Sequence, residues 1–140
     1  MKTGIKIVDA MTANPISVNA DENVLNCVKK MIDEQVGSVL VVDETKLLGI
    51  VTERDLLNKV IAKNVDLKKT PISEVMSKKP IYAEPELDIY DAMVLMRIEE
   101  IRRLPVIDKG IVVGVLTHKD ILSIQPELYD LVIETFNIRE

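Results

Sequence analysis

Gly49-Ile50-Val51-Thr52-Glu53-Arg54-Asp55 returns later in the chain as Gly114-Val115-Leu116-Thr117-His118-Lys119-Asp120. The displacement is 65 residues and holds without gaps on both sides of the pair. Met11 falls on Met76, Pro15 on Pro80, Ile16 on Ile81, Met31 on Met96, Glu34 on Glu99 and Asp43 on Asp108. Where the copies differ, they exchange like for like, as Ile50 for Val115 and Leu56 for Ile121. One supersecondary unit is therefore built twice. A half of this size buries too little surface to be secure alone, so the two are expected to pair.

Each copy reads as short helix, strand, helix, strand, strand, helix. Residues 5–11 and 72–76 are short amphipathic pieces. Pro15 and Pro80 end them, because the residue before a proline is disfavoured in a helix. Residues 16–18 and 81–83 follow as brief extended segments. Val24, Leu25, Val28, Met31 and Ile32 then recur at helical spacing with Asp21 as the N-cap, and Ile89, Ala92, Met93 and Met96 repeat the stripe. Two β-branched runs come next, residues 38–42 and 47–51 around Asp43-Glu44-Thr45-Lys46. Their counterparts are residues 104–107 and 111–116 around Asp108-Lys109-Gly110. Short runs bounded by turn residues read as strands. A last helix starts at Thr52 in one copy and Thr117 in the other. The expected organisation is a first domain over 5–63, a polar linker over 64–71, a second domain over 72–124 and a C-terminal helix over 125–140. In that helix Pro126 suits the first turn, and Leu128, Leu131, Val132 and Phe136 form one apolar face. The fold class is α/β, of the α+β kind, with the two repeats packed about a pseudo-twofold axis.

Composition excludes several functions. Hydrophobic residues make up 47% of the 140 residues but aromatics only 3%, with no Trp, so the core must come from Val, Ile, Leu and Met. The net charge of −5 counts against a general nucleic-acid surface. No apolar run approaches the roughly 18 residues of a membrane span. The first residues, Met1-Lys2-Thr3-Gly4-Ile5-Lys6, lack the apolar stretch of a secretion signal, so the expected location is the cytoplasm. Cys27 is the single cysteine, which rules out an intrachain disulfide, and its helical neighbours mark it as a core residue. The sequence holds no Ser/His/Asp set, no Cys/His pair, no metal-ligand cluster and no phosphate-cradling glycine loop. The expectation is a protein that is not an enzyme and carries no cofactor or metal.

The residues with chemistry left to explain cluster around the repeated heptapeptide. Thr52-x-x-Asp55 and Thr117-x-x-Asp120 read first as helix capping boxes, in which the Thr hydroxyl caps an amide and the acid reaches back. Capping boxes favour the longer Glu or Gln, whereas both copies use Asp. A short carboxylate there presents two oxygens to two vicinal hydroxyls, which is what a ribose offers. Arg102 and Arg103 suit either a solvated helix end or a phosphate, which arginine grips with two donors at once. The first copy has Gly37 and Ser38 in their place. His118, the only histidine, stands at a helix start in an exposed or phosphate-near position.

Residues 8–12 with 15–18, the two heptapeptides, and Arg102-Arg103-Leu104-Pro105-Val106-Ile107-Asp108 together resemble the CBS-domain pair, also called a Bateman module. The likeness covers residues 5–122. It implies a non-catalytic regulatory module that binds an adenosine-containing ligand in the cleft between the repeats: AMP, ADP or ATP first, with S-adenosylmethionine and NAD in the same class. In such modules Asp55 and Asp120, with Thr52 and Thr117, hold the ribose. Arg102, Arg103 and Lys119 would face the phosphate of a nucleotide on Asp55, Arg54 would be the lone equivalent for a nucleotide on Asp120, and Asp55 would mark the tighter site. Ile16, Ile81 and Pro105 would border the base. The resemblance also implies a homodimer and a regulated partner protein, and the chain's ends suggest a stand-alone protein acting in trans. The competing expectation is a dimerisation or interaction module that binds no ligand.

Overall fold

The computed structural model describes residues 2–13, 15–78, 80–128, 130 and 133. In chain order the elements are α1 (Ile7–Ala10), β1 (Thr12–Ala13), β2 (Ser17–Asn19), α2 (Val24–Glu34), β3 (Ser38–Asp43) and β4 (Lys46–Thr52). There follow α3 (Glu53–Leu56), which runs on as a π turn (Leu57–Ile61), a 3-10 turn (Ile72–Glu74) and β5 (Ser77–Lys78). The chain continues with α4 (Ile89–Glu99), β6 (Arg103–Asp108), β7 (Ile111–Thr117), α5 (His118–Ile124) and a second 3-10 turn (Pro126–Leu128). The mixed α/β class read from the sequence stands.

The compact units do not follow the sequence copies. Pro15–Pro80 form one unit, and Met1–Asn14 join Ile81–Glu140 in the other. The lead-in to each copy therefore packs against the body of the other copy. Helix ends explain why. The first amides of a helix have no partner inside it. In the 15–80 unit, Val24 N–H donates to Thr70 O at 3.0 Å and Leu25 N–H to Leu67 O at 3.1 Å, so the segment between the copies supplies acceptors to the first amides of α2. In the other unit Ile89 N–H donates to Ile5 O at 2.9 Å, the same bond displaced by 65 residues.

In the 15–80 unit β2 lies parallel to β3, and β3 pairs antiparallel with β4, Val39 opposite Val51. β5 closes the far edge, Gly49 opposite Lys78. The core is Val18, Val24, Cys27, Met31, Val39, Val41, Val51, Val60, Ile72 and Val75. Burial raises the Cys27 thiol to about 11, with the Glu22 charge adding to it, in keeping with an inert core residue. Two expectations need correction. The N-cap of α2 is Asn23, whose side chain accepts from Asn26 N–H at 2.8 Å, while Asp21 lies in the preceding turn. Ile32 is 69% exposed, because it sits one step round the helix from the buried Met31.

In the second unit β6 and β7 form the hairpin, Leu104 opposite Leu116, and β1 pairs antiparallel with β7, Thr12 opposite Val115. The extended segment read at 81–83 shrinks to a single bridge, Ala83 beside Val106. Its core is richer in long side chains: Ile7, Ile89, Met93, Met96, Leu104, Leu116 and Ile121 are fully buried. Leu128 is buried with them, whereas Leu131, Val132, Phe136 and most of the expected C-terminal helix lie outside the described residues.

Neither short strand β1 nor β5 was read from the sequence, which let Pro15 and Pro80 end the short helices. The helix instead stops at Met11, and a strand intervenes. The repeated glycine admits it. A Cβ at Gly114 would lie 2.6 Å from Met11 Sδ and 2.8 Å from Thr12 O; at Gly49 it would lie 2.6 Å from Met76 Sδ and 2.7 Å from Ser77 O.

Candidate functional site

Both Thr-x-x-Asp turns form complete capping boxes. Asp55 N–H donates to Thr52 Oγ1 at 3.3 Å, and Thr52 N–H returns the bond to Asp55 Oδ2 at 3.0 Å. Asp120 N–H donates to Thr117 Oγ1 at 3.2 Å, and Thr117 N–H to Asp120 Oδ2 at 3.0 Å. The structural reading of the motif is therefore real in both copies. It uses one carboxylate oxygen and leaves the other to face a different group.

That other group is a hydroxyl in each case. Ser77 Oγ donates to Asp55 Oδ1 at 3.0 Å, and Thr12 Oγ1 donates to Asp120 Oδ1 at 3.2 Å. Ser77 and Thr12 are 65 residues apart, on β5 and β1, and the close approach at Gly49 and Gly114 brings them in. The sequence reading missed both. Their signal was present: a hydroxyl directly after Met11 and Met76, in the same register as the repeated glycine.

The two turns then diverge. Asp55 is only 8% exposed and also meets Lys59 Nζ at 3.1 Å, one helical turn on. Lys59 donates as well to Val75 O at 3.1 Å. Position 59 corresponds to Ile124 in the second copy, which cannot make either contact. Asp120 is half-buried. Lys59 was also missed, and its spacing of four from an Asp was the available signal.

The remaining candidates fall as follows. Arg103 opens β6 directly opposite Thr117, and Arg102 precedes it, so neither belongs to a helix end; α4 stops at Glu99 with Glu100 in the left-handed conformation. Both arginines thus share a unit with Asp120, Thr117, His118 and exposed Lys119. His118 corrects an expectation: it is 5% exposed, not at the surface. Burial, and then the neighbouring Arg102 charge, lowers its pKa to about 4, so it is neutral at physiological pH. Arg54 is exposed on α3. Ile16 packs half-buried on its core, and its carbonyl accepts from Leu40 N–H at 3.1 Å. Ile81 is 37% exposed, and Pro105 is buried in β6.

Comparison with known proteins settles the family. A model described as the CBS domain matches residues 7–62 and again residues 72–127. The chain belongs to the CBS-domain family. A CBS pair is a regulatory module, and the two matches bracket both capping-box turns. A protein of Methanopyrus kandleri described only as uncharacterized is 34% identical over 122 residues, covering 86% of this chain and 60% of that protein. The chain thus spans less than two thirds of that relative's length. The CBS domain-containing protein YhcV of Bacillus subtilis is 32% identical over 115 residues, 82% of this chain and 81% of YhcV. Among solved structures, a CBS domain protein from Pyrobaculum aerophilum complexed with AMP superposes with a TM-score of 0.78 at 23% identity, covering 92% of this chain and 99% of that one. At that identity the likeness is one of fold. No helix among the described residues is long and apolar enough to cross a membrane.

Proposed function

We propose that this CBS pair is a non-catalytic sensor of an adenosine-containing nucleotide, AMP, ADP or ATP, acting in the cytoplasm on a partner protein. The observation that carries the reading is the hydroxyl accepted by each repeated carboxylate, Ser77 by Asp55 and Thr12 by Asp120. A carboxylate held by a capping box and turned toward a hydroxyl is a ready acceptor for a ribose diol. Arg102, Arg103 and Lys119 supply cations for the phosphate, with arginine's paired donors suited to its oxygens. The AMP bound by the Pyrobaculum protein makes that nucleotide the first to try.

The test is a thermal-shift panel of AMP, ADP, ATP, NAD and S-adenosylmethionine on protein stripped of carried-over ligand. A nucleotide at 100 times its dissociation constant adds about 2.7 kcal/mol to the folded state. The reading expects a rise in Tm with one adenine nucleotide, abolished when both Asp55 and Asp120 are changed to Asn. No shift with any of the five at millimolar concentration would remove it.

A second reading has its own support. Ile32, Ile61 and Ile98 are each more than 65% exposed, and Leu57 is 58% exposed. Side chains of this kind favour a homodimer or partner interface. Light scattering that gives twice the chain mass, with no nucleotide response, would select this reading.

A further inference from the structure

We propose that Lys59 closes the first of the two carboxylate turns, so that this chain binds one nucleotide, at Asp120. The inference rests on the nucleotide reading above and reverses the ranking that the resemblance suggested. An ionised carboxylate has about four places for donors. Four contacts fill them at Asp55: Thr52 N–H at 3.0 Å, Thr52 Oγ1 at 3.2 Å, Ser77 Oγ at 3.0 Å and Lys59 Nζ at 3.1 Å. At Asp120 the donors among the described residues are Thr117 N–H and the Thr12 hydroxyl. About half of its capacity stays open, and its one competing hydroxyl is of the type a ribose replaces.

Lys59 supplies one of the two extra contacts and the Thr52 hydroxyl the other, but Lys59 alone has no counterpart in the second copy. Its ammonium bridges Asp55 Oδ1 and Val75 O, so it ties α3 and its π turn to the segment leading into β5. A ribose reaching Asp55 would have to displace a cation as well as the Ser77 hydroxyl. In the second copy the same position is Ile124, which has no donor, and Asp120 is the more accessible carboxylate. The repeat thus keeps both turns for folding and leaves one for binding.

Isothermal titration with AMP and ATP tests this on the full chain, alongside Lys59→Ile and Ile124→Lys, which exchange the two copies' residues. Wild type is expected to bind one nucleotide per chain. Asp120→Asn should weaken binding about tenfold or more, the loss of hydrogen bonds to a charged acceptor, and Asp55→Asn by much less. Lys59→Ile should raise the stoichiometry to two, and Ile124→Lys should lower the affinity. Two equal sites in wild type, or loss of binding on Asp55→Asn alone, would overturn the inference while leaving the nucleotide reading intact. If no nucleotide binds, the nucleotide reading fails, and thermal melts decide the role of Lys59. A filled Asp55 predicts that Asp55→Asn lowers Tm more than Asp120→Asn does. The reverse order would overturn the closed-turn assignment without any ligand.

Discussion

His118 occupies the position that Glu53 holds in the first copy, and its burial predicts a pH-dependent contribution to stability. Its folded pKa is lowered to about 4 from an ordinary value of 6.5, by burial first and by Arg102 second. The unfolded chain therefore binds the proton more readily. Stability from this group is fully present above about pH 6.5 and is lost as pH falls toward 4, with a slope of at most about 1.4 kcal/mol per pH unit. Denaturant melts between pH 4 and pH 7 should show this slope, and His118→Gln should flatten it. An unchanged slope in the variant would mean that the ring is hydrated in the folded state. The residues around it show what a sequence can and cannot disclose. Thr52, Asp55, Thr117 and Asp120 were legible because spacing within one turn fixes their contacts. The burial of His118, the Lys59 bridge and the Ser77 and Thr12 hydroxyls were not, because each depends on a segment far along the chain.

At the scale of elements, the repeated glycine governs how the short strands dock. A methyl group at Gly114 would press on Met11 Sδ and on the Thr12 carbonyl, the latter being backbone that cannot swing away. Gly114→Ala should therefore cost about 1–3 kcal/mol, as overpacking does, and should displace the Thr12 hydroxyl from Asp120. Chemical denaturation measures the first effect, and a weakened nucleotide affinity in the same variant reports the second. A fully stable variant would show that β1 docks more loosely than these distances imply. The four long strands and two long helices were readable from period and turn residues, since β3, β4, β6 and β7 carry β-branched runs and α2 and α4 carry apolar stripes. β1 and β5 escaped because two residues are too few to show a period. The N-cap of α2 moved from Asp21 to Asn23 because a cap is chosen by where the first amides find partners, here Thr70 and Leu67.

At the scale of the whole molecule, the repeat in the sequence and the compact units in space are cut at different places. The family matches begin at residues 7 and 72, yet Ile7 is buried with Ile89 and Met93, and Ile72 with Val24 and Cys27. Each unit borrows its lead-in from the other copy, and each lead-in brings the hydroxyl that meets an Asp. Gapless duplication made the family legible, but the borrowing was not, since lead-ins that share register and anchor residues, Ile7 with Ile72 and Met11 with Met76, fit either copy in sequence. This arrangement links folding to the candidate site: the lead-ins that place Ile7, Ala10, Ile72 and Val75 in the cores also bring the Thr12 and Ser77 hydroxyls to the carboxylates. The central claim is that a repeated Asp accepts a ribose diol, and the most direct measurement compares AMP with 2′-deoxy-AMP by calorimetry on the same protein. Removing one hydroxyl removes a hydrogen bond to a charged acceptor, about 1.5–3 kcal/mol, so the deoxy compound should bind roughly tenfold to a hundredfold more weakly. Equal affinities for the two would contradict the assignment of Asp120, and of the motif, to the ribose.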